Sequence, residues 1–196
     1  APVVSGALPK VVTLGEVMLR LKPPGFERLF QSPALEATFG GAEANVAVSL
    51  AQYGERATFV SAIPANDIGD ACIAELRRHG VDTSAIRRQG ERLGIYFLES
   101  GANQRASKVT YDRTGSSFAS AKPGGFDWDA IFSDADWFHV SGVTPGVRAG
   151  AATLALEAAQ VAREKGVTVS CDYNYRKNLW LWGKPAPEVM RDLVSH

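Results

Sequence analysis

The side chains with the most chemical capacity fall in three short segments. Phe39-Gly40-Gly41-Ala42-Glu43-Ala44-Asn45 puts two adjacent glycines just ahead of an apolar-periodic stretch. Without Cβ atoms they let a ligand approach backbone N–H groups, and a helix start adds further donors with a favourable dipole. Asn45, one turn in, carries an amide that both donates to and accepts from a hydroxyl. A glycine pair before a helix is also ordinary punctuation, so this segment alone is a weak signal. Tyr111-Asp112-Arg113, with Tyr96 on a neighbouring stretch, offers a planar guanidinium fork matched to a carboxylate and aromatic walls with polar tips. An exposed strand with a surface arginine is the plain alternative there. Asp172-Tyr173-Asn174-Tyr175-Arg176 supplies an acid, an amide and a guanidinium, groups suited to phosphate and metal-bound phosphate.

Other chemistries lack their residues. No GxxxxGK[ST], GxGxxG, HExxH or GxSxG occurs, and His79, His139 and His196 have no ligand spacing. Zinc hydrolases and NAD enzymes are therefore disfavoured. His139 sits within an apolar run and reads as a satisfied core histidine rather than a base. The chain has 196 residues, 21 Lys+Arg against 21 Asp+Glu, and 45% hydrophobic positions, a folded composition able to bury roughly 70% of its unfolded surface. No more than two basic residues stand together (Arg77-Arg78, Arg87-Arg88), so no electrostatic footprint points to nucleic acid or an anionic membrane. No apolar run approaches the ~18 residues of a membrane span. Residues 1–20 lack a basic leader, and Glu16 interrupts their one apolar stretch, so no signal peptide is expected. Cys72 and Cys171 lie far apart inside apparent elements, as expected for reduced, buried thiols in a cytoplasmic protein.

The elements that must position these segments are legible as periodicities. Val11 to Val17 is a β-branched run ending at Gly15-Glu16, and Ala57 to Ile63 is a second strand. Between them, Val46, Leu50 and Tyr53 define an amphipathic helix over 43–53, closed by Gly54. Residues 18–40 are too many for a βα loop of about 2–6 residues, and their alternating apolar positions around Pro23-Pro24-Gly25 predict an inserted β appendage. A helix over 68–79, capped from Asn66-Asp67, should bury Ile68, Cys72, Ile73 and Leu76. Gly94 to Glu99 and Lys108 to Asp112 fit a hairpin that could partner the appendage. A second parallel unit follows, with strands at 135–140 and 167–171 flanking a helix over 149–165 whose face carries Leu154, Ala158, Val161 and Ala162. Ligands should collect outside the carboxyl ends of such strands, at Gly15-Glu16, Ser141-Gly142 and Asp172.

In this order along the chain, Gly15-Glu16, Gly40-Gly41 with Asn45, Gly69 after Asn66-Asp67, and Asp172 with Asn174 and Arg176 make the sequence resemble the ribokinase-like sugar kinases, the phosphofructokinase-B family. Within it, Tyr96, Tyr111, Arg113 and Asn174-Tyr175-Arg176 match the branch whose substrate is the sugar acid 2-keto-3-deoxygluconate. The resemblance covers nearly all of residues 10–196. It implies a three-layer α/β core with a mostly parallel sheet and a small β-sheet lid. The core would take 1–17, 41–93 and 114–196, and the lid 18–40 and 94–113. It further implies transfer of the γ-phosphoryl of ATP, with Mg2+, to a sugar hydroxyl. Glu16, Gly40, Gly41 and Asn45 would meet the sugar, with Tyr96, Tyr111 and Arg113 reaching it from the lid. Asn174, Tyr175 and Arg176 would lie by the nucleotide, Arg176 steadying charge on the transferred phosphate. No metal ligand is assigned.

The family's Gly-Ala-Gly-Asp motif, which supplies an anion hole and the general base, is missing from these residues, as is the Asn-x-x-Glu associated with magnesium. Gly124-Gly125-Phe126-Asp127 looks similar but follows Lys122-Pro123 without a strand ahead, and is read as a decoy. The base is thus expected outside the 196 residues, and these residues alone are expected not to turn over. Edges and an apolar face on the lid predict a homodimer through it, or a larger homo-oligomer. Fructose or a nucleoside as substrate, and a non-catalytic carbohydrate-binding or interaction protein, remain the alternatives.

Overall fold

The computed structural model describes residues 8–195. Strand β1 (Lys10–Leu14) passes through Gly15-Glu16 into β2 (Met18–Lys22), and β3 (Glu36–Gly40) returns to helix α1 (Ala42–Gln52). Next come β4 (Arg56–Ile63), α2 (Asp67–Arg78), β5 (Ile86–Arg88), β6 (Gly94–Glu99) and β7 (Lys108–Asp112). The last third runs α3 (Trp128–Ile131), β8 (Trp137–Ser141), α4 (Val143–Val147), α5 (Ala149–Glu164), β9 (Thr168–Asp172) and α6 (Ala186–Val194).

Two sheets result. A five-stranded sheet has the order β5-β4-β1-β8-β9, and each neighbouring pair in it is parallel. It is covered on both faces because its strands are apolar on both. Val12, Leu14, Val60, Phe138 and Val140 pack with Leu154, Ala158 and Ala162 of α5, while Phe59 and Ile63 pack with Ala44 and Ala47 of α1 and Cys72 and Leu76 of α2. A four-stranded sheet has the order β3-β2-β6-β7, with β2 and β6 parallel and both outer pairs antiparallel. The inserted appendage and the hairpin therefore do partner each other, with Tyr96 opposite Tyr111.

Several local expectations change. Ile68 is 48% exposed rather than buried, because it falls on the first turn of α2 outside the stripe formed by Cys72, Ile73 and Leu76. Val161 of α5 is only partly buried. Strand β5 and helices α3 and α4 carry no readable period, whereas α6, absent from the elements read in the sequence, does carry one, burying Ala186, Val189, Met190 and Leu193 at helical spacing. Strand β5 has three residues, two of them exposed arginines, and α4 contains Pro145 and Gly146. The Gly124–Asp127 stretch is structural: Asp127 caps α3 by accepting from the Ala130 N–H at 3.1 Å, and Gly124 N–H donates to Glu157. His139 is half-buried rather than in the core; its Nδ1 lies 2.9 Å from the Ser170 hydroxyl, and burial pushes its pKa down. Cys72 and Cys171 are free thiols that burial pushes up to about 12 and about 11.

Candidate functional site

The order of strands switches direction between the parallel neighbours β1 and β8: the connection after β1 leads through α1 on one face to β4, and that after β8 leads through α5 on the other face to β9. The carboxyl ends of these two strands bound the crevice where an open sheet binds ligands. Gly15-Glu16 and Ser141-Gly142 stand there, as the sequence predicts. Helix α1 begins at the same place. Gly41 caps it in extended geometry without a side-chain hydrogen bond, so first-turn N–H groups are left for water or a ligand. Asn45 is exposed on its second turn.

The crevice floor is a carboxyl group that sequence reading passed over. Glu43 is 1% exposed, and its Oε1 accepts from the Ser141 N–H at 2.9 Å, the Ser141 hydroxyl at 2.7 Å and the Thr144 hydroxyl at 2.9 Å. Its own carbonyl accepts from the Thr13 hydroxyl at 3.1 Å, and a Cβ on Gly15 would collide with its Oε2. Burial pushes its pKa up, opposed in part by these donors. In one-dimensional sequence it is a glutamate in the first turn of a helix, where the dipole alone explains it.

On the small-sheet side, Tyr96, Tyr111 and Arg113 come together. The two tyrosine rings are 5.9 Å apart, and Arg113 Cζ lies 5.7 Å from the Tyr111 centroid. A Cβ on Gly40 would stand 2.7 Å from the Tyr96 hydroxyl, which ties this group to the glycine pair. Arg113 is not a free surface residue. Its Nε donates to Glu16 Oε2 at 3.0 Å, its Nη2 donates to the same oxygen, and Nη1 has no partner among the described residues. Ser116 donates to Glu16 Oε1 at 2.6 Å. Asp112 is engaged by Arg92 at 2.9 Å, which holds its carboxylate below the usual range, so it does not compete for Arg113.

The third segment leaves β9 at the same end of the sheet. Asp172 accepts from the Asn174 N–H at 2.9 Å, and its carbonyl accepts from Gly142 N–H at 2.8 Å, which moors the turn to β8. Asn174 adopts a positive φ of 33°, while Tyr175 and Arg176 are exposed. Tyr175 also lines an apolar opening of about 820 Å³ between this segment and α6. Among the described residues no cluster of His, Cys, Asp or Glu is disposed to hold a metal ion.

Residues 8–196 match the pfkB family of carbohydrate kinases. The chain is 37% identical over 171 residues to a 2-dehydro-3-deoxygalactonokinase of Haloferax volcanii, covering 87% of this chain and 54% of that protein. The crystal structure of a 2-dehydro-3-deoxygluconokinase from Thermotoga maritima superposes with a TM-score of 0.86 at 54% identity, over 88% of this chain and 53% of that one. A fructokinase from Xylella fastidiosa with bound ATP superposes with a TM-score of 0.84 at 25% identity, over 96% of this chain and 59% of that one. The chain thus spans about half the length of the curated relatives it matches.

Proposed function

Since the chain belongs to the pfkB family of carbohydrate kinases, we propose that it serves an ATP-dependent kinase of a sugar acid, most closely 2-keto-3-deoxygluconate, phosphorylated at its 6-hydroxyl. The observation that carries the acid is Arg113, whose guanidinium lies beside the Tyr111 ring and, through it, Tyr96, and whose Nη1 has no partner among the described residues. A guanidinium edge flanked by hydroxyl-tipped rings recognises a carboxylate by directional, charge-assisted hydrogen bonds. The sugar's hydroxyls would lie against Gly40, Gly41 and the Asn45 amide, and the small sheet would act as the lid over them. The names of the deoxy-keto sugar acid kinases among its relatives support the same substrate class.

Arg176, with Asn174 and Tyr175, would flank the nucleotide at the end of β9. An exposed guanidinium, an amide and an aromatic ring there fit one side of a nucleotide phosphate chain. When bound, ATP supplies the phosphoryl group and Mg2+ neutralises its charge. These residues do the positioning: the helix start and Asn45 orient the acceptor hydroxyl, and Arg176 steadies charge on the transferred oxygens. No general base is assigned among the 196 residues, which contain no Gly-Ala-Gly-Asp. We place the enzyme in the cytoplasm, with its two thiols reduced.

Replacing Arg113 by Ala should lower kcat/KM for 2-keto-3-deoxygluconate by roughly 10–150-fold, the worth of a charge-assisted hydrogen bond, while leaving fructose nearly unaffected. Because Ala strands Glu16, Arg113→Lys is the companion variant: it keeps the charge, loses the fork, and should show the same selective loss in smaller measure. Equal losses for both sugars would overturn the acid reading.

A further inference from the structure

Glu16 is buried, with both carboxylate oxygens occupied by Arg113 and Ser116. The chain crosses between the two sheets at four places, and all four meet this residue. Residues 15–17 are the first crossing, from β1 to β2. Gly40-Gly41 is the second, and a Cβ on Gly41 would collide with the Glu16 carbonyl oxygen. Gly94, where β6 begins, is the third; a Cβ there would sit 2.7 Å from Glu16 Oε1 and 3.2 Å from Arg113 Cβ. The fourth, from Arg113 to Ser116 after β7, provides both side-chain partners and is itself closed by the Ser116 N–H donating to the Arg113 carbonyl at 3.1 Å.

We infer that Glu16 is a positioning residue: it pins the four crossings of the small sheet to the core and holds Arg113 so that the Nη1 edge faces the substrate's acid group. For its ligand this rests on the sugar-acid kinase reading above; the pin itself rests on geometry. Glu16 is 4% exposed and each of its oxygens already holds a protein donor, so in this proposal it acts through Arg113, where the sequence suggests a direct contact with the sugar. The side chains of Arg113 and Glu16 are 12% and 3% exposed, and removing one leaves the other charge poorly solvated and free to leave its place. An arginine that is no longer held in one rotamer must be ordered again on each binding event, which weakens binding of the ligand that needs it.

Two variants in the full-length protein separate position from charge. Glu16→Gln keeps an oxygen able to accept both arginine N–H groups and sets an amide against the Ser116 hydroxyl, so the pin persists uncharged. Glu16→Ala removes it. Calorimetric binding of 2-keto-3-deoxygluconate and of fructose is read alongside amide exchange in β2, β6 and β4. In Glu16→Ala, affinity for the acid should fall roughly 10–150-fold and that for fructose by no more than about threefold. Amides of β2 and β6 should exchange faster while those of β4 keep their protection, because the small sheet is released and the core is not. Glu16→Gln should keep the acid preference and the protection. Unchanged exchange in β2 and β6 of Glu16→Ala overturns the pin, and so does equal loss of protection in β4, which would make Glu16 a support of the whole fold. Loss of the acid preference in Glu16→Gln overturns it too, since charge would then be what Glu16 supplies. A wild-type protein that binds fructose as well as the acid defeats the substrate reading instead, and exchange still decides the pin.

Discussion

Glu43 shows how a single side chain can be both visible and unreadable. Its place between the glycine pair and Asn45 is plain in the sequence, yet its three donors come from Ser141 and Thr144, 98 and 101 residues further on. No local pattern announces such a partner. Burial raises its folded-state pKa above the ordinary value of 4.5, so the protonated form is favoured in the fold. The linkage has a definite sign. Its contribution to stability is complete below the unfolded pKa and is lost as pH rises through the higher folded pKa. Melting temperature should therefore fall as pH rises above about 4.5 more steeply in the wild type than in Glu43→Gln, which keeps the carbonyl acceptor and cannot ionise. Thermal melts across that range check it, and parallel slopes would show that Glu43 does not titrate there.

At the scale of elements, glycines mark where helix starts touch strand ends. A Cβ on Gly41 would strike the main-chain oxygen of Glu16, one on Gly69 that of Pro64, and one on Gly142 that of Tyr173. Each is a contact of backbone with backbone, so no side chain can swing aside. Gly41→Ala should accordingly cost about 1–3 kcal/mol as an overpacked site and weaken sugar binding by shifting α1 from β1. Urea unfolding with a sugar titration measures both, and wild-type stability would remove the close-approach argument. The long amphipathic helices and the hairpin were legible because each carries its own period. Strand β5 and helix α4 were not: β5 borrows its ladder from Ser61–Ile63 of β4, and α4 is packed against α5 in spite of Pro145 and Gly146.

For the whole molecule, the small sheet is the open question of assembly. Every residue of β7 is exposed, including Val109 at 42% and Tyr111 at 52%, and β3 and β7 both lie at sheet edges. We expect two copies to associate through these sheets, with Val109→Lys on the edge strand shifting the mass from dimer toward monomer. Light scattering at high micromolar concentration tests this, and a monomeric wild type would end it. The sequence by itself determined the parallel α/β core, the two insertions that make the second sheet, and the segments at 40–45, 96–113 and 172–176, because periodicity and glycine placement are local properties of a chain. Only the tertiary structure decided that Glu16 faces Arg113 and that Glu43 lies under Ser141. Both depend on which strand ends lie side by side, and that follows from the order of strands in the sheet, a long-range property that no local pattern records.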